Sequence, residues 1–187
     1  MNSVFAMPVI FTNLQHFSTP SFYNLLSSFF LRLYVTIPPM NFSPITDHLF
    51  IGTTSFAEDY NHLRDLGVRL IINMRVERRP YRDVHESPLQ FLWLPTFDSP
   101  LIPIPVKALQ RGTRTALEII QSGGKVFANC AGGRHRGVAM GACILIAQGF
   151  DPHAAMTLIK EKREIADPFA FYIRPRILKF ASQWDIK

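Results

Sequence analysis

Cys130 and Arg136 stand six positions apart in Val126-Phe-Ala-Asn-Cys130-Ala-Gly-Gly-Arg-His-Arg136-Gly137. A thiol, two glycines and a guanidinium in one short loop suit phosphoryl transfer. A phosphoryl group carries two negative charges and three peripheral oxygens. Successive backbone N–H groups leading into a helix N-terminus can cradle it. Gly132 and Gly133 permit the tight backbone that such a cradle needs. Ala131, Gly132, Gly133, Arg134 and His135 are therefore the candidate phosphate-binding residues, and Arg136 closes the ring with a bidentate fork. The same positive field favours the thiolate of Cys130, placed beneath the cradled phosphorus for in-line attack. The leaving oxygen also needs a proton. Asp98, in Leu94-Pro-Thr-Phe-Asp98-Ser-Pro100, is the candidate general acid, a role worth about 10²–10⁴-fold in rate.

These residues need elements to position them. Lys125–Asn129 reads as a short strand ending at Cys130. Gly137–Gln148 reads as a helix that is apolar on nearly every side, and so buried. Upstream, Leu49–Gly52 is a short apolar run. Ser55 and Glu58 have capping-box spacing for a helix carrying Phe56, Tyr60, Leu63 and Leu66, which stops at Gly67. Leu70–Met74 has the continuous apolar run of a strand covered on both faces. An arginine-rich loop follows, with Arg75, Arg78, Arg79 and Arg82, read as a solvated loop or a substrate contact. Phe91–Leu94 is a further strand, and Asp98–Pro105 a proline-rich loop. Val106–Ser122 is an amphipathic helix. Asp151 and Pro152 open a helix reaching about Ile165, with Lys160, Lys162 and Arg163 on a solvated face. A last helix covers Ile173–Trp184. Strands alternating with helices imply an α/β domain of three layers, with a central, mostly parallel sheet flanked by helices. Ligands of such sheets bind at the carboxyl ends of the strands, where the Cys130 loop lies.

Composition narrows the partners. The chain has 187 residues, 48% of them hydrophobic, and a formal net charge of +6. That suits one domain with a real core and favours anionic partners. No nucleic-acid recognition motif is visible, so none is expected as a partner. Two cysteines, Cys130 and Cys143, make no disulfide framework, and Cys143 falls on the apolar helix as a core residue. A reducing, cytoplasmic setting follows. His48, His62, His85 and His153 show no ligand spacing, so neither metal nor cofactor is expected. Residues 1–44 read as an N-terminal extension, separated by Pro38, Pro39 and Pro44 from a catalytic domain over 45–187. Within the extension Phe22, Leu25, Leu26, Phe29 and Leu33 repeat at helical spacing opposite Asn24, Ser28 and Arg32. The expectation for residues 22–38 is an amphipathic helix that packs on the domain or makes peripheral membrane contact.

The Cys-x5-Arg spacing of Cys130 and Arg136 resembles the signature of the cysteine-based protein-tyrosine and dual-specificity phosphatases, in their compact form. The Asp98 loop is similar to their general-acid loop. Ile45–Gly52 is similar to their first strand, and Ile165-Ala-Asp-Pro-Phe with Tyr172 and Ile177–Phe180 to their closing helices. The likeness covers roughly residues 45–187. It implies a protein-tyrosine-phosphatase-like fold and a phosphocysteine formed on Cys130. Asp98 would serve first as acid and then as base. The substrate would be a phosphoprotein (Tyr, Ser or Thr), a phosphoinositide or other lipid phosphate, or a soluble polyphosphate. Two positions depart from the pattern. Asn129 stands where the family has His, and Gly137 where it has Ser or Thr, a hydroxyl that helps the thiolate depart. The departures imply a phosphoenzyme that breaks down slowly. They also motivate the alternative of a catalytically weak phosphate-binding module of the same fold, against which the retention of Cys130, Arg136 and Asp98 together counts. A sulfurtransferase fits the six-position spacing and the acid loop less well.

Overall fold

The structure is a computed structural model that describes residues 40–184. The amphipathic helix expected over residues 22–38 lies outside the described residues. Those described form five strands, β1 (Phe42–Thr46), β2 (Leu49–Gly52), β3 (Val68–Arg75), β4 (Gln90–Thr96) and β5 (Lys125–Asn129), in one sheet of order β1-β2-β5-β3-β4. β2, β5, β3 and β4 run parallel, and β1 is antiparallel at the edge. The parallel strands are apolar along their length because both faces are covered. All of β2 is buried, as is β5 beyond Lys125.

The stretch that reads as one strand from Ile45 to Gly52 is instead a hairpin turning at Asp47 and His48. β1 begins at Phe42, so a domain boundary at residue 44/45 would cut a strand. Pro44 misleads the sequence reading here. On an edge strand its missing N–H disrupts no interior ladder, so a proline that reads as a separator is tolerated inside β1. Phe42 packs edge-on against Phe50 and Phe127, with centroids 5.8 and 6.3 Å away.

One face of the sheet carries α2 (Val106–Gln121), α3 (Arg136–Ala147), α4 (Pro152–Lys162) and α5 (Arg174–Gln183), packed into the larger core around Leu70, Ile72, Leu94, Val126 and Met140. The other face carries α1 (Tyr60–Asp65) over a smaller core of Phe50, Tyr60, Leu63, Ile71 and Phe127. A single 3-10 turn, Ala57–Asp59, leads into α1. Its entry is fixed by Asp59, whose carboxylate accepts the Phe56 N–H at 2.8 Å. The cap expected from Ser55 and Glu58 is absent, and Ser55 serves the site instead. Every residue of α3 from Arg136 to Ile146 is buried. Truncating one of its large side chains, such as Leu145→Ala, would cost about 2–5 kcal/mol. α3 is thus the rigid post on which the Cys130 loop stands.

Candidate active site

The loop begins where β5 ends. Cys130 is 1% exposed. Its N–H donates to Gly52 O at 3.4 Å, and its carbonyl accepts from Thr54 Oγ1 at 3.4 Å, so β2 and the segment after it hold the loop's first residue. Gly133 has φ 59°, the left-handed region, and a Cβ there would lie 2.7 Å from the Gly52 carbonyl. The loop therefore requires glycine at 133. Gly132 has open space around its Cα, so the expectation that both glycines are needed narrows to one. Among the described residues the N–H groups of Ala131, Gly132, Gly133, Arg134 and His135 meet no acceptor. Those donors are the ones a phosphate cradle uses.

Arg163 supports the loop from below. Its Nε donates to Gly133 O at 2.8 Å, and Nη1 to Asn41 Oδ1 at 2.9 Å and Ser43 Oγ at 3.3 Å. The sequence places Arg163 on a solvated helix face with Lys160 and Lys162; it is 2% exposed instead. α4 ends at Lys162, so Arg163 leaves the helix in extended backbone (φ −138°) and points inward. Burial pulls its pKa below the usual arginine range, and nearby Cys130 pushes back. A loop-tethering arginine could not be told by type alone from a run of surface cations.

Arg136 is the first residue of α3, and it is buried. Its end-on edge is already occupied. Nη1 and Nη2 donate to the two carboxylate oxygens of Glu77 at 3.0 and 3.1 Å, and Nη1 also to Thr96 O at 2.9 Å. Nε is buried and makes no hydrogen bond, with Asp98 Oδ2 3.6 Å away. Burial opposes the charge of Arg136, but Glu77, Cys130 and Asp98 outweigh it and raise its pKa. The Arg136 fork pulls Glu77 down to about 2, helped by Arg75, whose Nε donates to the same carboxylate at 2.9 Å. Sequence reading missed Glu77. Its only signal was a lone acid in an arginine-rich loop.

Asp98 follows β4, and its side chain is 30% exposed. Tyr172 Oη donates to Asp98 Oδ1 at 2.8 Å and lies 2.9 Å from His135 Nδ1. His135 Nδ1 is 3.4 Å from Asp98 Oδ2. A phenol has one proton to give. With Tyr172 donating to Asp98, the bond between Tyr172 and His135 requires the histidine proton on Nδ1. Burial first, then the bond to Asp98, pushes the pKa of Tyr172 up. Tyr172 resembled part of a closing segment in the sequence, and its contact with the acid was not legible there. The other rim cation, Arg134, is exposed, 3.7 Å from Asp167.

Asn129 donates to Ser55 Oγ at 3.2 Å, while its Oδ1 is buried without a partner. Gly137 is pressed on the end of β5. A Cβ would sit 3.3 Å from Ala128 O and 3.2 Å from the Asn129 carbonyl carbon. The position that the resemblance fills with a hydroxyl is thus narrow here.

A mixed sheet of this order, with a cysteine loop running from β5 into a buried helix and the Asp98 loop after β4, is the fold of the compact dual-specificity phosphatases. Human DUSP28 is similar at 21% identity and TM-score 0.68, over 79% of this chain and 96% of that one. PTPMT1 in complex with PI(5)P is similar at 21% identity and TM-score 0.67, over 76% and 95%. A mouse putative dual specificity phosphatase complexed with zinc tungstate matches at 22% identity and TM-score 0.69, over 79% and 90%. No protein-family model matches the sequence, and no curated protein matches it.

Proposed function

We propose that the chain is a phosphomonoester hydrolase that works through a phosphocysteine on Cys130. The observation that carries this reading is the free Nε edge of Arg136, buried beside the Cys130 loop with Asp98 3.6 Å away. Glu77 holds the end-on edge, so the side-on edge remains for phosphate oxygens, and the free N–H groups of residues 131–135 complete the cradle. In the first step the Cys130 thiolate attacks phosphorus. The bond from phosphorus to the ester oxygen breaks as Asp98 gives that oxygen a proton. In the second step water attacks the phosphocysteine, Asp98 takes the water proton, and the sulfur–phosphorus bond breaks to return the thiolate and release phosphate. Tyr172 and His135 orient the Asp98 carboxyl for both steps. The fold is shared with protein and lipid phosphatases, and a phosphoinositide is bound by PTPMT1. A phosphorylated protein or a phosphorylated lipid headgroup is the substrate range this supports.

Hydrolysis of a small aryl phosphate tests the reading. Cys130→Ser abolishes turnover, and Asp98→Asn lowers kcat by about 10²–10⁴-fold. A wild type without activity, or a Cys130→Ser variant equal to it, overturns the mechanism. The crowding at Gly137 favours one further feature, slow release of the phosphoenzyme. Rapid mixing then shows a burst of released alcohol before the steady state. The absence of both burst and turnover, with phosphate binding intact, marks the weak phosphate-binding module instead.

A further inference from the structure

We infer that Arg75 and Arg78 form a second phosphate subsite beside the Cys130 loop, so that the preferred substrate carries two phosphates close together on one compact ring. This rests on the phosphatase reading for the first phosphate, though its test does not. The loop between β3 and β4 enters the site through Glu77, and Glu77 Oε1 is shared: Arg136 Nη2 reaches it at 3.1 Å and Arg75 Nε at 2.9 Å. The two guanidiniums are neighbours across a single oxygen. Arg75 Nη1 donates at 2.6 Å to Thr54 Oγ1, the hydroxyl that bonds the Cys130 carbonyl. Arg75 thus reaches the first residue of the cradle through Thr54. One carboxylate between two cations leaves an excess positive charge at the floor of the cleft.

Arg78 adds to that excess. Its guanidinium lies over the ring of Phe56 at 4.8 Å and over Tyr81 at 4.9 Å, and it donates to the Tyr81 hydroxyl. It has no carboxylate partner among the described residues. Stacking uses the faces of the guanidinium and leaves in-plane N–H donors for an anion. Phe56 follows Ser55, which bonds Asn129 next to Cys130, and Asn73, opposite Asn129 in the sheet, donates to the Arg78 carbonyl at 3.3 Å, which ties the stack to the strand ends that bear the loop. Cations locked in this way suit two phosphates on a rigid ring, which lose less freedom on binding than two on separate flexible side chains.

The test measures affinity in Cys130→Ser, where turnover is not needed. An inositol bisphosphate with phosphates on adjacent carbons is compared with an inositol monophosphate. The bisphosphate binds about 10–100-fold more tightly, the worth of one or two added charged hydrogen bonds. Arg78→Ala, on an exposed loop, lowers that advantage about tenfold, Arg75→Gln does likewise, and Arg69→Ala at the far end of β3 leaves it in place. Vesicles carrying a phosphatidylinositol bisphosphate give the lipid arm. Tighter binding there than to the soluble compound names a lipid headgroup as the source, and equal binding names a soluble one; either supports the subsite. Equal affinity for mono- and bisphosphate, or an advantage that survives Arg75→Gln with Arg78→Ala, overturns it. An advantage seen only with a doubly phosphorylated peptide overturns the ring assignment. Loss of aryl phosphate hydrolysis bears on the phosphatase reading alone.

Discussion

Glu77 shows how one residue sets the direction in which a clamp works. It takes the Nη1–Nη2 edge of Arg136, which in the proposed mechanism leaves Nε for substrate. Its pKa falls from 4.5 to about 2. A depressed carboxylate contributes stability that is present above its unfolded value and lost as pH falls through the folded one. Glu77→Gln is therefore less stable than wild type at pH 7. The gap between them narrows as pH falls below 4.5 and closes near 2. Thermal unfolding of both proteins across that range checks it, and a gap that persists undiminished at the acid end defeats the assignment. Tyr172 is the matching case on the acid. Tyr172→Phe removes the 2.8 Å bond to Asp98 and lowers kcat/KM roughly tenfold, the loss of an interaction made in the transition state of the first step. In kcat/KM, which reports the first step, the loss is larger for phenyl phosphate than for nitrophenyl phosphate, because only the poorer leaving group depends strongly on a positioned proton. An equal loss on both substrates shows that Tyr172 serves packing rather than the acid. Type and spacing pick out Cys130, Arg136 and Asp98 as candidates, and the structure brings Arg136 within 3.6 Å of Asp98 beside the Cys130 loop. Glu77, Tyr172 and Arg163 were not legible in that way, because each acts through a contact across at least 30 positions of chain.

The elements were legible where local chemistry fixes them. The helix stops Gly67, Gly123 and Gly149 all have left-handed φ, and Asp151 caps α4 through the His153 and Ala154 N–H groups. The apolar run after the cysteine loop is the buried α3. Failures occurred where two roles share one residue type. Pro44 reads as a linker and lies in β1. Ser55 reads as a cap and bonds Asn129. The loop itself gives the sharpest prediction at this scale. Gly133→Ala meets both the left-handed φ of 59° and the Gly52 backbone at 2.7 Å. The strain alone is about 1–2 kcal/mol, and overpacking adds about 1–3. The variant loses stability by that order and loses phosphate hydrolysis by more than the stability loss explains, since the cradle must open to fit the methyl. Gly132→Ala, with open space around it, changes stability by less than about 1 kcal/mol. Equal behaviour of the two variants in chemical unfolding contradicts the assignment of the tight turn to Gly133.

The chain as a whole carries +6, and at the site the arginines outnumber the acids that face them. Arg163 is held only by neutral oxygens, Arg75 and Arg136 share Glu77, and Arg78 lies on rings. Among the described residues no helix is long and apolar enough to cross a membrane. The excess arginine charge acts at long range on an anionic substrate. Such a field raises encounter rates and is screened by salt, with a Debye length of about 10 Å at 0.1 M. Accordingly, kcat/KM for a bisphosphorylated substrate falls several-fold between about 0.05 and 0.5 M salt, while kcat at saturation stays nearly constant. The fall is steeper for a bisphosphate than for an aryl monophosphate, because the steering energy grows with substrate charge. Steady-state kinetics in sodium chloride series read this directly. Parallel slopes for the two substrates mean that the net charge acts elsewhere than at the mouth of the cleft. A fall in kcat instead of kcat/KM means that salt reaches the Arg136–Glu77 pair and disturbs the clamp rather than the approach to it.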